Sequence, residues 1–167
     1  MAVQNAPASG PGPDLNLHAI QVAESSTQAK ARGWLGSLYN NTGWSYHELG
    51  DYVSALAIFE NAEAARRSQG RVNEIRIAQW FVARALRSLS RVPEALSTQM
   101  TLKDEFEAEG ERDGYVYEEI AECLLALNRA EESHPYFAQA HEILSQDSRL
   151  AKKEPERLTR LKELGRE

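Results

Sequence analysis

The first candidates for chemistry are the histidines, two of which, His134 and His141, are seven residues apart. On an α-helix this spacing places both imidazoles on one face, where Glu142 is the nearest carboxylate. Imidazole and carboxylate groups are zinc ligands, but a zinc site takes three or four protein ligands. The two alternatives are a metal site and a pair of solvent-exposed histidines. We expect the second, and we predict that the protein binds no metal and no cofactor.

A second candidate is the carboxylate cluster of Glu118, Glu119 and Glu122. Paired carboxylates can perform acid–base catalysis, but such a cluster is also typical of the solvated face of a helix. The sequence contains no Gly-rich phosphate loop and no Gly-x-Ser-x-Gly motif. We therefore predict that the protein is not an enzyme.

Composition restricts the class of protein further. The 167 residues carry a formal net charge of −6 and are 42% hydrophobic, which suits one folded domain. The acidic balance disfavours nucleic acid and anionic membranes as partners. Cys123 is the single cysteine, so no disulfide can form within the chain. Since no apolar run reaches the roughly 20 residues of a membrane span and residues 1–13 lack a secretory-signal pattern, we expect a cytoplasmic protein.

The stretch that positions the remaining polar residues runs from Tyr39 to Ala62. It predicts two amphipathic helices separated at Gly50, because glycine accepts the left-handed conformation that ends a helix. Asp51 can then cap the second helix. Small and large residues alternate at helical spacing through both helices, at Gly43, Tyr46, Ala55, Phe59 and Ala62.

This pattern resembles the tetratricopeptide repeat (TPR), a helix–turn–helix unit of about 34 residues. Tyr39, Gly43 and Phe59 stand at matching positions, whereas Thr42 replaces the family's leucine and Arg67 its late proline. The resemblance implies an all-α fold, a right-handed α-solenoid of tetratricopeptide-like helical hairpins.

The same pattern divides the chain into segments. We expect a disordered tail at 1–13, a tetratricopeptide repeat domain at 14–146 and a C-terminal capping helix at 148–167. Within the domain, residues 14–28 are either a half repeat or an N-terminal capping helix, and full repeats span about 33–70, 73–110 and 113–146. The equivalent residues Gly43, Ala83 and Ala121 are 40 and 38 residues apart, a spacing that resembles extended bacterial repeats of about 40 residues.

Stacked hairpins of this family line a concave groove with their first helices. Transferred position by position, the resemblance places nine residues on a partner-binding groove: Asn40, Trp44, His47, Trp80, Arg84, Arg87, Tyr115, Glu118 and Glu122. Trp and Arg are the residue types that dominate binding hot spots. In the alternative interpretation, the two tryptophans pack between repeats and the arginines pair with the glutamates.

The resemblance implies a non-enzymatic scaffold that binds a protein or peptide, without nucleic acid or membrane, and it leaves the oligomeric state open. The alternative is a ligand-sensing regulatory module of a larger signalling or transcription-regulatory protein. The Lys and Asn residues with which some family members hold a carboxylate terminus are replaced here, for example by Trp44 and Glu119. We expect Arg66 to lie on the convex, exposed face.

Overall fold

The structure is a computed structural model in which residues 13–166 are described. These residues form ten α-helices and no strand: α1 (Pro13–Ser25), α2 (Ala29–Gly33), α3 (Leu35–Glu48), α4 (Tyr52–Gln69), α5 (Val72–Ser88), α6 (Val92–Ala108), α7 (Gly114–Ala126), α8 (Ala130–Leu144), α9 (Ser148–Lys153) and α10 (Pro155–Leu164). They divide into two compact units, an N-terminal unit up to Ser90 and a C-terminal unit from Arg91. The predicted all-α fold is confirmed.

The hairpin of α3 and α4 organises the N-terminal unit. Its turn follows the predicted chemistry, because Gly50 has φ +79° and Asp51 accepts a hydrogen bond from the N–H of Ser54 at 3.1 Å. Gly43 faces the ring of Phe59 at the helix crossing. Thr42, which stands where the family pattern has leucine, is fully buried, and its hydroxyl donates to the carbonyl of Leu38 at 2.8 Å.

Helix α1 packs on α3. Ile20, Tyr39 and Ala62 form a buried cluster there, and the Tyr39 hydroxyl donates to the Glu24 carboxylate. Burial, together with that carboxylate, raises the pKa of Tyr39 to about 12. The helix covers 13–25, and the half-repeat assignment of 14–28 stays a prediction. The predicted tail lies outside the described residues except for Pro13, which begins α1.

The hairpin of α7 and α8 is the core of the C-terminal unit. Asp113 caps α7 by accepting from the N–H groups of Tyr115 and Val116 at 2.9 and 3.2 Å. Ala121 and Phe137, the counterparts of Gly43 and Phe59, are both fully buried in one apolar cluster. The packing pattern of the first hairpin is therefore repeated in this unit.

The end of the chain differs from the single capping helix predicted at 148–167. Two helices are present there, α9 and α10, with the non-helical residue Glu154 between them (φ −132°, ψ 53°). Pro155 is the reason, because proline disfavours a helical conformation in the residue before it and cannot donate to the preceding turn. The tertiary arrangement then turns Leu158 and Leu161 of α10 into the core.

The expectation for Arg66 is wrong. Its side chain is 6% exposed and lies between helices, where Nη1 donates to the Glu74 carbonyl at 2.9 Å and Nη2 to the Gly36 carbonyl at 3.4 Å. An arginine is long enough to pass its apolar stem along a helix surface and still reach carbonyls on both neighbours. Arg66 therefore connects α4 to the first turns of α3 and α5.

Candidate functional site

Three predicted groove residues lie on α3 at spacings that share one helix face: Asn40, Trp44 and His47. All three are half-buried. The Asn40 Oδ1 and Trp44 Nε1 atoms are shielded from solvent and have no hydrogen-bond partner within the described part of the chain. A strong acceptor and a strong donor, one helical turn apart, are thus left unsatisfied on the same face.

The Trp44 indole belongs to an aromatic cluster. Its ring centroid lies 5.5 Å from that of Phe59, 5.4 Å from Phe81 and 6.3 Å from Trp80. The contacts with Phe59 and Phe81 are edge-on, a favourable geometry that fixes the position of the rings. The cluster therefore holds the Trp44 Nε1 atom in place at the edge of the N-terminal unit's core.

Trp80 is part of this core, and its assignment as a groove contact needs correction. The side chain is 4% exposed and lies 5.7 Å from the ring of Phe81, centroid to centroid. A partner cannot touch so deeply buried a ring while the fold stays intact. Trp80 therefore packs in the core of the N-terminal unit, beside Trp44.

His47 connects α3 to α5. Its Nε2 lies 2.9 Å from the Ser88 hydroxyl, and its ring packs 4.9 Å from that of Tyr52. The same hydroxyl accepts a hydrogen bond from Nη1 of Arg84 at 3.2 Å. Arg84 and Arg87 are both half-buried. Sequence reasoning missed Ser88, which no motif singles out.

The third set of predicted groove residues lies on α7 and is engaged by α10. Nε and Nη2 of Arg157 donate to the two oxygens of Glu118 at 2.9 and 2.5 Å, and Arg160 donates to Glu122. The guanidinium of Arg157 also lies 5.3 Å from the ring centroid of Tyr115. The alternative interpretation expected Arg84 and Arg87 as the partners of these glutamates, whereas Arg157 and Arg160 of α10 pair with Glu118 and Glu122.

Glu118 is buried, 8% exposed, so its assignment as an open groove contact is also corrected. Burial raises the pKa of the Glu118 carboxyl, and the two hydrogen bonds from Arg157 oppose that rise. A sequence signal for this pairing existed. Arg157 and Arg160 have the same spacing as Leu158 and Leu161, so both arginines lie beside the apolar stripe of α10.

The other chemical candidates are not brought together. Among the side chains that the structure describes, no group of three or more His, Cys, Asp or Glu residues could hold a metal ion. His134 and His141 are both half-buried on α8. No helix within residues 13–166 is long and apolar enough to span a bilayer.

Comparisons with known proteins agree with this architecture. No protein-family model and no curated protein matches the sequence. A solved structure of nearly identical TPR-like repeats from Podosopora anserina, assigned there as a kinesin light chain, is similar to this chain with a TM-score of 0.65. The similarity covers 91% of this chain and 76% of that chain, at 16% sequence identity.

At that identity the similarity shows the fold. The chain is an all-α solenoid of TPR-like helical hairpins. The assignment to the extended bacterial type, with its pitch of about 40 residues, stays a prediction.

Proposed function

We propose that the protein is a non-enzymatic scaffold and that a peptide segment of a partner protein binds to the inner face of α3. This face consists of the half-buried Asn40, Trp44 and His47, flanked by Arg84 of α5. The net charge of −6 argues against nucleic acid and anionic membrane as partners. The cytoplasmic location expected from the sequence belongs to the same proposal.

The observation that supports this proposal best is the unsatisfied pair of atoms on α3, Asn40 Oδ1 and Trp44 Nε1. A buried polar atom without a partner costs about 1–3 kcal/mol, and each such atom needs an explanation, of which a role in binding is one. A peptide main chain carries the complementary groups, an N–H for Oδ1 and a carbonyl for Nε1. Because the aromatic cluster holds the indole, binding requires a shift of the Trp44 ring within that cluster and a rotation of Asn40 to bring both atoms to the bound segment.

The contact between His47 and Ser88 does not favour an enzyme. A histidine at 2.9 Å from a serine hydroxyl can act as a base in acyl transfer. Ser88, however, is the last residue of α5, where the negative end of the helix dipole opposes charge on an oxyanion. We therefore assign this contact to the connection of α3 with α5.

The test uses a random peptide library displayed on phage and selected against the purified full chain. Peptides that bind are synthesised, and their Kd values are measured by fluorescence anisotropy. Asn40→Ala removes the acceptor, and Trp44→Phe removes the Nε1 donor while it keeps an aromatic ring. We expect each change to raise Kd at least about tenfold, which corresponds to roughly 1.4 kcal/mol.

The chain offers a matched control for each change. Asn61 and Trp34 are exposed, so Asn61→Ala and Trp34→Phe should leave Kd unchanged. Thermal melts separate loss of binding from loss of fold. If the control changes weaken binding while the two α3 changes do not, the inner face of α3 is not the site. Selection of no peptide with a Kd below about 100 µM argues against peptide binding altogether.

A further inference from the structure

Helix α10 rests on the α7–α8 hairpin through a narrow apolar stripe. Leu158 is 8% exposed and Leu161 fully buried, in a cluster that also contains Phe137, Ala140 and Leu144. The other positions of α10 are mostly charged and exposed. The helix is thus amphipathic, and its apolar side is docked against the hairpin.

Two arginines border this stripe and contact the α7 side chains predicted from the sequence as groove residues. Arg157 makes the paired hydrogen bonds with Glu118 and lies over the Tyr115 ring. Arg160 pairs with Glu122, and its guanidinium lies 5.6 Å from the Phe137 ring centroid. All three predicted contact residues of α7 are therefore in contact with a basic amphipathic helix.

We propose that the face formed by Tyr115, Glu118, Glu122 and Phe137, here called the acidic helix site, is a docking site for a basic amphipathic helix of a partner protein. In the free protein α10 is its resident intramolecular ligand. The recognised pattern is Arg-Leu-x-Arg-Leu, as in residues 157–161. Leucines fill the apolar part of the site, and arginines satisfy the two carboxylates. This site is separate from the α3 face, and either proposal can hold without the other.

The construction of α10 suits exchange with a partner helix. It has ten residues, and isolated helices of that length are marginal in water. One non-helical residue, Glu154, joins it to α9 and provides a hinge. The Arg157–Glu118 pair is largely desolvated, and the cost of removing such charges from water offsets much of their attraction. The pair thus selects a basic ligand without holding α10 permanently.

The covalent link through Glu154 sets how strongly α10 competes with a partner helix for the acidic helix site. A ligand linked through a short hinge has an effective concentration in the millimolar range, so α10 excludes weak ligands from the site. The apparent affinity of a partner is reduced by the fraction of molecules in which the site is open. A change that loosens α10 without touching α7 should therefore raise the affinity for a helix added in solution.

The test uses a fluorescein-labelled peptide of residues 154–167 and the full chain. In the chain carrying Arg157→Ala and Arg160→Ala, the acidic helix site is intact while α10 is weakened. We expect this variant to bind the peptide at least about tenfold more tightly than the unmodified chain does. The control chain carries Lys152→Ala and Lys162→Ala, the same change in charge at exposed positions, and should behave like the unmodified chain.

One further variant and a pair of host peptides identify what is recognised. Adding Glu118→Gln and Glu122→Gln to the arginine variant should abolish peptide binding. A host helix of Ala, Glu and Lys that carries only the five-residue pattern should bind, and the same host with both arginines replaced by alanine should not. If the double arginine variant does not fold, as judged by circular dichroism, Arg157→Lys provides a milder change with a smaller gain in affinity.

Three results overturn the proposal. In the first, no variant binds the peptide although hydrogen exchange shows α10 open in the arginine variant. In the second, the peptide binds equally well after both glutamates are changed to glutamine. In the third, the chain forms dimers by exchanging α10 and the host peptide does not compete, so that the occupant is a second copy and not a partner helix.

Discussion

A Cβ atom placed on Gly43 would lie 2.3 Å from Cε1 of Phe59, so the two helices of the first hairpin meet where there is no room for a side chain. The Phe59 ring cannot move aside easily, because it is fully buried and packed 5.3 Å from the ring of Phe81. Gly43→Ala should therefore overpack the crossing and destabilise the protein by about 1–3 kcal/mol. Urea denaturation measures the loss.

Gly33→Ala is the control for this change. A Cβ on Gly33 meets no atom within 4 Å, so alanine there should be neutral or add up to about 1 kcal/mol through its higher helix propensity. Equal urea midpoints for the two variants would contradict the close approach of Gly43 and Phe59.

Arg66 should be a stabilising residue in spite of its charge. Arg66→Ala removes hydrogen bonds to the carbonyls of Glu74 and Gly36 and leaves a buried gap between α3, α4 and α5. We expect a loss of about 1–3 kcal/mol in the free energy of unfolding. The neighbouring Arg67 is exposed and pairs only on the surface, with Glu63, so Arg67→Ala should change stability by less than about 0.5 kcal/mol. Similar losses of stability in Arg66→Ala and Arg67→Ala would contradict the stabilising role of Arg66.

The pair of Arg157 and Glu118 should make stability depend on pH in a definite direction. Burial raises the pKa of Glu118 above its ordinary value, and Arg157 limits that rise. A carboxyl whose pKa is higher in the folded protein contributes stability below its unfolded pKa of 4.5 and loses that contribution as pH rises through its folded pKa. In Arg157→Ala the folded pKa rises further, so the variant should lose more stability at about pH 8 than at about pH 4.

Urea denaturation at the two pH values measures this difference. Adding Glu118→Gln to the Arg157→Ala variant removes the titrating group. It should abolish the extra loss of stability at the higher pH. Arg129→Ala breaks an exposed pair with Glu132 and should have little effect at either pH. A loss for Arg157→Ala that does not vary with pH would show that Glu118 does not change its protonation state over the range.

Local chemistry made the hairpins predictable. The spacing of Gly43, Ala55 and Phe59 predicts where small and large side chains lie on the packed face of each helix. Helix periodicity places residues three or four positions apart on the same face. Gly50 and Asp51 mark a turn for equally local reasons. The division of the chain end at Pro155 is local too, although the prediction of one helix overlooked the residue before the proline.

The site depended on contacts that periodicity cannot supply. The sequence by itself determined that Trp80 and Arg84 share a helix face, but the tertiary structure decided that Trp80 is buried among the rings of Trp44 and Phe81. It also decided that Arg157 meets Glu118, 39 residues away. Helical spacing tells which side chains point the same way, whereas burial and ion pairing depend on which helix is packed against them, and that follows from the long-range arrangement of the chain.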